Sequence, residues 1–201
     1  MEQLKAKIRK EGRVLPGNIL LVDQFLNQQV DTELLLDMAE FWYERFKDKK
    51  ITKVMTIEAS GIAIAVFVAS RFGVPLLFAK KYSSTNVTRE SHEVNIYSYT
   101  KQVSYNVAIS KRLLTSDDTV LIIDDFLANG QALKGLLDLC RSAGASVAGV
   151  GIAIEKAFQN GREAVKDFNV DISSLAIVEA LDAETGEIRF SGDEVKGEER
   201  A

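Results

Sequence analysis

Two aspartates stand side by side at positions 124 and 125, directly after the apolar run Val120-Leu121-Ile122-Ile123. Neighbouring carboxylates at the end of a buried strand are unfavourable unless something binds them, because desolvating two like charges costs more than it returns. Ribose hydroxyls or a magnesium-bound sugar are natural partners. In isolation the pair reads equally well as the cap of a strand and turn. After Phe126 and Leu127 comes the short turn Ala128-Asn129-Gly130-Gln131-Ala132, which opens a helical pattern reaching Ala143. Backbone N–H groups of such a turn can converge on a phosphate and add the positive end of the helix dipole. The chain has no Walker loop, and Gly149-Val150-Gly151 lacks the third glycine of a dinucleotide fingerprint.

Other reactive side chains are sparse. Ala59-Ser60-Gly61 lies where the run Ile51 to Ile57 turns into a helical stretch, and its amides suit an anion, although a Ser-Gly at a helix start is by itself an ordinary cap. Lys80 and Lys81 follow the run Val74 to Ala79 and alone read as a solvated basic pair. Lys156 follows the run Val147 to Ile154; its ammonium has three donors and no acceptor, though Glu155 beside it could make it a plain surface ion pair. His92 has no second His or Cys near it and is left out of any metal or base role. The single cysteine, Cys140, reads as a buried, inert thiol in a chain kept in a reducing compartment.

The elements that must carry these groups can be read from hydropathy. Leu34, Leu35, Met38, Phe41, Trp42 and Phe46 recur at helical spacing between Asp31 and Lys49, with Asp31 or Thr32 as N-cap. Five short apolar runs follow: Ile51 to Ile57, Val74 to Ala79, Thr119 to Ile123, Val147 to Ile154 and Leu175 to Val178. They lack alternation, and Gly61 to Phe72 and Gln131 to Ala143 between them have helix-forming patterns. That combination predicts an α/β fold with an open, mostly parallel sheet covered on both faces. Between Ala79 and Thr119 the chain is first polar and then alternates at Val94, Ile96, Val103, Tyr105, Val107 and Ile109, which predicts an antiparallel hairpin serving as a lid.

A chain of 201 residues is one well-filled domain, here 1–201, with a core over roughly 31–180 and a small hood from roughly 1–30 together with the C-terminal segment. The tail from Gly192 to Ala201 reads as solvated. A net charge of -4 gives no electrostatic footprint for nucleic acid or a membrane surface, and no stretch is apolar for long enough to span a bilayer. A cytoplasmic location is expected.

The thirteen residues Val120 to Ala132 resemble the signature of the type I phosphoribosyltransferase family: an apolar strand, two acidic residues and a small-residue loop for the 5-phosphate of phosphoribosyl pyrophosphate. The variant Asp124 to Ala132 is most similar to that of the family's xanthine-using members. The resemblance covers nearly the whole chain. It implies that Asp124, Asp125 and Ala128, Asn129, Gly130, Gln131 and Ala132 bind phosphoribosyl pyrophosphate, with Mg2+ carried by that substrate rather than ligated by the protein. It further implies that Ala59, Ser60, Gly61 and Lys81 meet the pyrophosphate, in relatives sometimes through a strained peptide bond. Val14 to Asp23 resembles the hood over the purine, which places Leu20 against the base and Asn27 at its edge, while Lys156 would donate to an oxo group. Lys156 thereby disfavours adenine, and xanthine, partly anionic near neutrality, gains most from a cation. Guanine and hypoxanthine are the alternative bases.

Two departures from the family pattern matter. Asn129 and Ala132 stand where threonine hydroxyls commonly help hold the phosphate, so loop backbone must do more, and Ala128 stands where an aspartate is proposed as base in related enzymes, so no general base is assigned. The resemblance also implies a homodimer. A regulator that only senses phosphoribosyl pyrophosphate is the other class with this loop. Such regulators carry an added DNA-binding domain, whereas here about thirty residues precede the predicted first helix.

Overall fold

In the central strands apolar side chains point to both faces, so each strand is stable only between two layers of helix. The structure, a computed structural model, describes residues 1–82, 90–98 and 103–193. Five parallel strands form the middle of an eight-stranded sheet: β3 (Lys53–Ile57), β4 (Leu76–Tyr82), β7 (Thr119–Leu127), β8 (Ser146–Lys156) and β9 (Ile172–Leu181). Antiparallel strands complete its edges, β10 (Ile188–Phe190) on one side, β5 (Ser91–Ser98) and β6 (Val103–Ser110) on the other, giving the order β10-β9-β8-β7-β3-β4-β6-β5. The predicted α/β class and mostly parallel sheet are therefore present.

Helices α2 (Thr32–Phe46) and α3 (Gly61–Phe72) cover one face, and α4 (Gln131–Ala143) covers the other. Asp31 caps α2 by accepting from Leu34 N at 3.1 Å, an interaction that stabilises a helix by about 1 kcal/mol. The helical stripe of α2 buries Leu34, Leu35, Met38, Trp42 and Phe46 against the sheet. Trp42 fits because β8 offers a glycine: a Cβ on Gly151 would lie 2.7 Å from the indole. The indole Nε1 then donates to Ser173 O at 3.1 Å, satisfying its only polar atom.

Three features differ from expectation. The N-terminal stretch, given only as part of the hood, is helix α1 (Glu2–Glu11), so the helix beginning at Thr32 is the second; Leu4 and Ile8, one turn apart, are the two buried residues of α1. The hairpin β5–β6 is not a free flap, because Lys80, Lys81 and Tyr82 of β4 pair with Ala108, Val107 and Asn106 of β6, and Ile96, Val107 and Ile109 are buried in the same cluster as α4. Of the connection from Ala79 to Thr119 read as a lid, residues 83–89 and 99–102 lie outside the described residues. Lastly, β10 adds an edge strand that its length of three residues hid from pattern reading.

The hood consists of β1 (Arg13–Leu15) and β2 (Ile19–Leu21), paired antiparallel, followed by a π-helical turn over Asp23–Asn27. His92 is buried and its Nδ1 lies 3.0 Å from Ser142 Oγ, which ties the hairpin to α4. Cys140 is buried as expected, and burial pushes its thiol up to about 12.

Candidate active site

The aspartates do not end their strand. β7 continues through them to Leu127, because β8 on its other side remains in register as far as Glu155, whereas pairing with β3 stops at Ile122. Asp124 and Asp125 thus lie beyond the ladder on one side and inside it on the other, at the carboxyl end of the parallel sheet where such folds bind ligands. Asp124 is 4% exposed and Asp125 8%. Each is held by the next amide: Asp125 N donates to Asp124 Oδ1 at 3.0 Å, and Phe126 N to Asp125 Oδ1 at 2.9 Å. Burial, followed by the charge of Asp125, holds the Asp124 carboxyl well above the ordinary carboxylate range.

Directly over Asp124 sits the start of α3. A Cβ on Gly61 would lie 2.1 Å from Thr56 Oγ1 and 2.8 Å from Asp124 Oδ1, so only glycine lets the helix approach the acid this closely. Thr56 Oγ1 is buried and makes no hydrogen bond among the described residues. Just before α3, the Glu58–Ala59 peptide bond is cis, at the turn where the resemblance implied an unusual one. Lys81 N donates to Glu58 Oε1 at 2.6 Å, and Glu58 N to Ala79 O at 3.1 Å, which fix the turn against β4. Ser60 precedes α3 without a capping side-chain bond. The Lys81 ammonium lies 4.8 Å from the Tyr105 ring centroid, and its charge favours the ionised form of Asp124.

Loop 128–132 begins α4 with Gly130 in the left-handed region, φ +76°, and no side chain caps the helix start. Amide donors there remain for a ligand. Beside them is an open cleft lined by the whole loop, by Phe126 and by Tyr105 of the hairpin. A segment unremarked in the sequence stands behind the loop. A Cβ on Gly130 would meet Gly161 O at 2.5 Å, and one on Gly161 would meet Ala128 O at 2.4 Å, so two chain turns pack backbone to backbone. Arg162 anchors that second turn, its Nε and guanidinium nitrogen reaching the two oxygens of buried Glu155 at 2.7 and 2.8 Å. Asn160-Gly161 is a turn sequence, but nothing local says what it packs against.

Glu155 consequently pairs with Arg162 and Ser174, not with Lys156, so the surface ion pair considered for Glu155-Lys156 is absent. Lys156 instead donates from Nζ to Asn18 O in the hood turn at 2.8 Å and lies 5.4 Å from the Phe126 ring centroid. Burial lowers the affinity of this half-buried amine for its proton. The structure therefore joins the hood to the end of β8. Leu20 is buried in the core cluster at the base of the hood, and Asn27, the last residue of the π-helical turn, is exposed.

Among the described residues no three His, Cys, Asp or Glu side chains gather as a cation site. Asp124 and Asp125, adjacent buried carboxyls at the carboxyl end of the parallel sheet, are the acceptors that a cation brought in on a substrate would meet.

Residues 22–184 match the family model described as the phosphoribosyl transferase domain. A protein of Bifidobacterium animalis subsp. lactis called xanthine phosphoribosyltransferase is 53% identical over 191 residues, covering 94% of this chain and 99% of its own. A protein of the same name from Lachnoclostridium phytofermentans is 51% identical over 193 residues, covering 96% and 100%. The adenine phosphoribosyltransferase of Giardia lamblia, solved with 9-deazaadenine, superposes with a TM-score of 0.73 at 24% identity over 86% of this chain and 96% of that one. That of Trypanosoma brucei, solved with AMP, pyrophosphate and ribose-5-phosphate, gives 0.70 at 18%, covering 87% and 79%. These two structures speak for the fold alone.

Proposed function

The chain belongs to the phosphoribosyl transferase family, and from that membership we propose that it transfers the 5-phosphoribosyl group of phosphoribosyl pyrophosphate to N9 of xanthine, releasing pyrophosphate and forming xanthosine 5'-monophosphate for purine salvage. The observation that carries the reading is one continuous segment: a buried strand bearing Asp124 and Asp125, then an uncapped loop, Ala128 to Ala132, opening α4 beside a cleft. The base rests on the near-full-length relatives and on Lys156.

In this reading loop 128–132 takes the 5-phosphate on its amides, and Asp124 and Asp125 accept from the ribose hydroxyls. The pyrophosphate lies on Ala59, Ser60 and Gly61 and against Lys81. Mg2+, arriving on the diphosphate, would neutralise its charge as it leaves. The bond from C1 to pyrophosphate breaks through an oxocarbenium-like state, so positioning and charge neutralisation carry most of the rate. Lys156 keeps two further N–H donors beside its bond to Asn18 O and directs them to an oxo group of the base. Leu20 and Asn27 complete the base site from the hood.

The functional unit is a homodimer in the cytoplasm, with the domain boundaries given by the hood and core. No helix among the described residues is long and apolar enough to cross a membrane. Pyrophosphate release with phosphoribosyl pyrophosphate and Mg2+, compared across xanthine, guanine, hypoxanthine and adenine, tests the reading. A preference for xanthine supports it. Tight binding of phosphoribosyl pyrophosphate without turnover of any base overturns it.

A further inference from the structure

Where the commoner family loop has threonine hydroxyls, this loop has Asn129 and Ala132, and α4 starts without a capping side chain. Hydroxyl donors to a phosphate are therefore missing from the loop itself. The cleft beside the loop has another wall, the hairpin strand β6, and Tyr105 of that strand lines it together with Ala128 to Ala132. Tyr105 is half-buried, and its hydroxyl makes no hydrogen bond among the described residues. Its ring is held from two directions: across the hairpin it stands opposite Ile96, which is buried against α4, and the Lys81 ammonium lies 4.8 Å from its centroid.

We propose that Tyr105 is a substrate-binding residue whose hydroxyl donates to the 5-phosphate held by loop 128–132, replacing the donors that the loop lacks. The inference rests on the phosphoribosyl-transfer reading and adds to it a contact that comes from the hairpin. Burial and the nearby Asp124 charge raise the affinity of the phenol for its proton, so it stays a donor across the neutral range. The cleft that Tyr105 shares with Ala128 to Ala132 brings a wall of the hairpin and the loop amides to one anion. The hairpin's fixed place in the sheet then has a use: it holds this wall at a constant distance from the loop.

Tyr105→Phe keeps the ring, the packing and the lysine contact while deleting the one donor. Ribose 5-phosphate, which carries the 5-phosphate without a diphosphate, is the probe, measured by calorimetry alongside pyrophosphate and steady-state kinetics. In Tyr105→Phe the dissociation constant for ribose 5-phosphate and the KM for phosphoribosyl pyrophosphate should both rise about tenfold. The affinity for pyrophosphate, the KM for xanthine and kcat should stay within about twofold. Unchanged ribose 5-phosphate affinity in Tyr105→Phe, with a wild-type protein that turns over, overturns the tyrosine assignment and leaves the transferase reading intact. Weakened pyrophosphate binding alone would move the hydroxyl to the other anion and equally overturns it. A wild-type protein that binds neither sugar phosphate overturns both.

Discussion

The carboxyl of Asp124 is buried beside a second carboxylate, close under Gly61 at the start of α3. Its folded-state proton affinity is raised above the ordinary 3.8, so between that pH and its folded value the native chain binds more protons than the unfolded one, and stability falls as pH rises. Asp124→Asn keeps the acceptor for Asp125 N and removes the charge. It should raise Tm near pH 8 by about 3 °C, from a gain of about 1 kcal/mol, while abolishing turnover. Near pH 4 the gain should vanish, which thermal scans at the two pH values check. Lys156 offers the complementary case. Lys156→Met should lower kcat/KM for xanthine by about 100-fold with little change in the KM for phosphoribosyl pyrophosphate, as expected when a charged donor to the base is lost. Because burial lowers its proton affinity, the wild-type KM for xanthine should climb at alkaline pH before an ordinary lysine would titrate. Both residues were legible from sequence, since a carboxylate pair or a lysine after a β-branched run is a local pattern. Tyr105, Gly161 and Arg162 were not, because their meaning lies in what faces them from distant parts of the chain.

Between strand and helix, the site is a set of turns pressed against one another. The turn over 157–164 links Lys156 to the back of the phosphate loop, and Arg162 clamps it to Glu155 through a two-pronged guanidinium contact. Gly161→Ala places a Cβ 2.4 Å from Ala128 O, so the loop must shift. The KM for phosphoribosyl pyrophosphate should rise at least about tenfold, since misplacement by an ångström is enough to cost that much. Arg162→Lys retains the charge but not the fork and should raise the KM for both substrates several-fold. Initial-rate kinetics with each substrate varied in turn would show it, and a change in only one KM would argue against a shared support. Strands and helices around these turns were readable because unbroken apolar runs mark the buried strands and a helical repeat marks the amphipathic helix. β7 was expected to stop at Ile123 because charged residues seldom continue a buried strand, yet its pairing with β8 carries it four residues further.

Across the whole molecule, the N-terminal helix closes on the last described strands. α1 lays Leu4 and Ile8 into the cluster that contains Leu175, Ile188 and Phe190. The Met1 ammonium donates to Leu175 O, and Arg9 reaches Asp193 at 2.6 Å, so Asp193 is tethered although it belongs to the stretch read as solvated tail; residues 194–201 lie outside the described residues. Ile8→Ala should cost about 2–4 kcal/mol, or about 6–12 °C in Tm, measured by thermal denaturation. Leu36 of α2 and Val66 of α3 are 58% and 49% exposed and line one concavity. Sedimentation of the wild type and of Leu36→Glu would test whether the proposed homodimer uses that face; a monomeric wild type would remove the dimer from the functional unit. By itself the sequence determined the layers, the parallel sheet, the acidic pair and its loop, since periodicity and neighbouring residue types are local properties of the chain. Only the tertiary structure decided that α1 and β10 meet, that the hairpin is a sheet edge, and that Gly161, Glu155, Arg162 and Tyr105 surround the loop. Those are contacts between residues far apart in sequence, fixed by strand register and close packing, and no single segment encodes its partner.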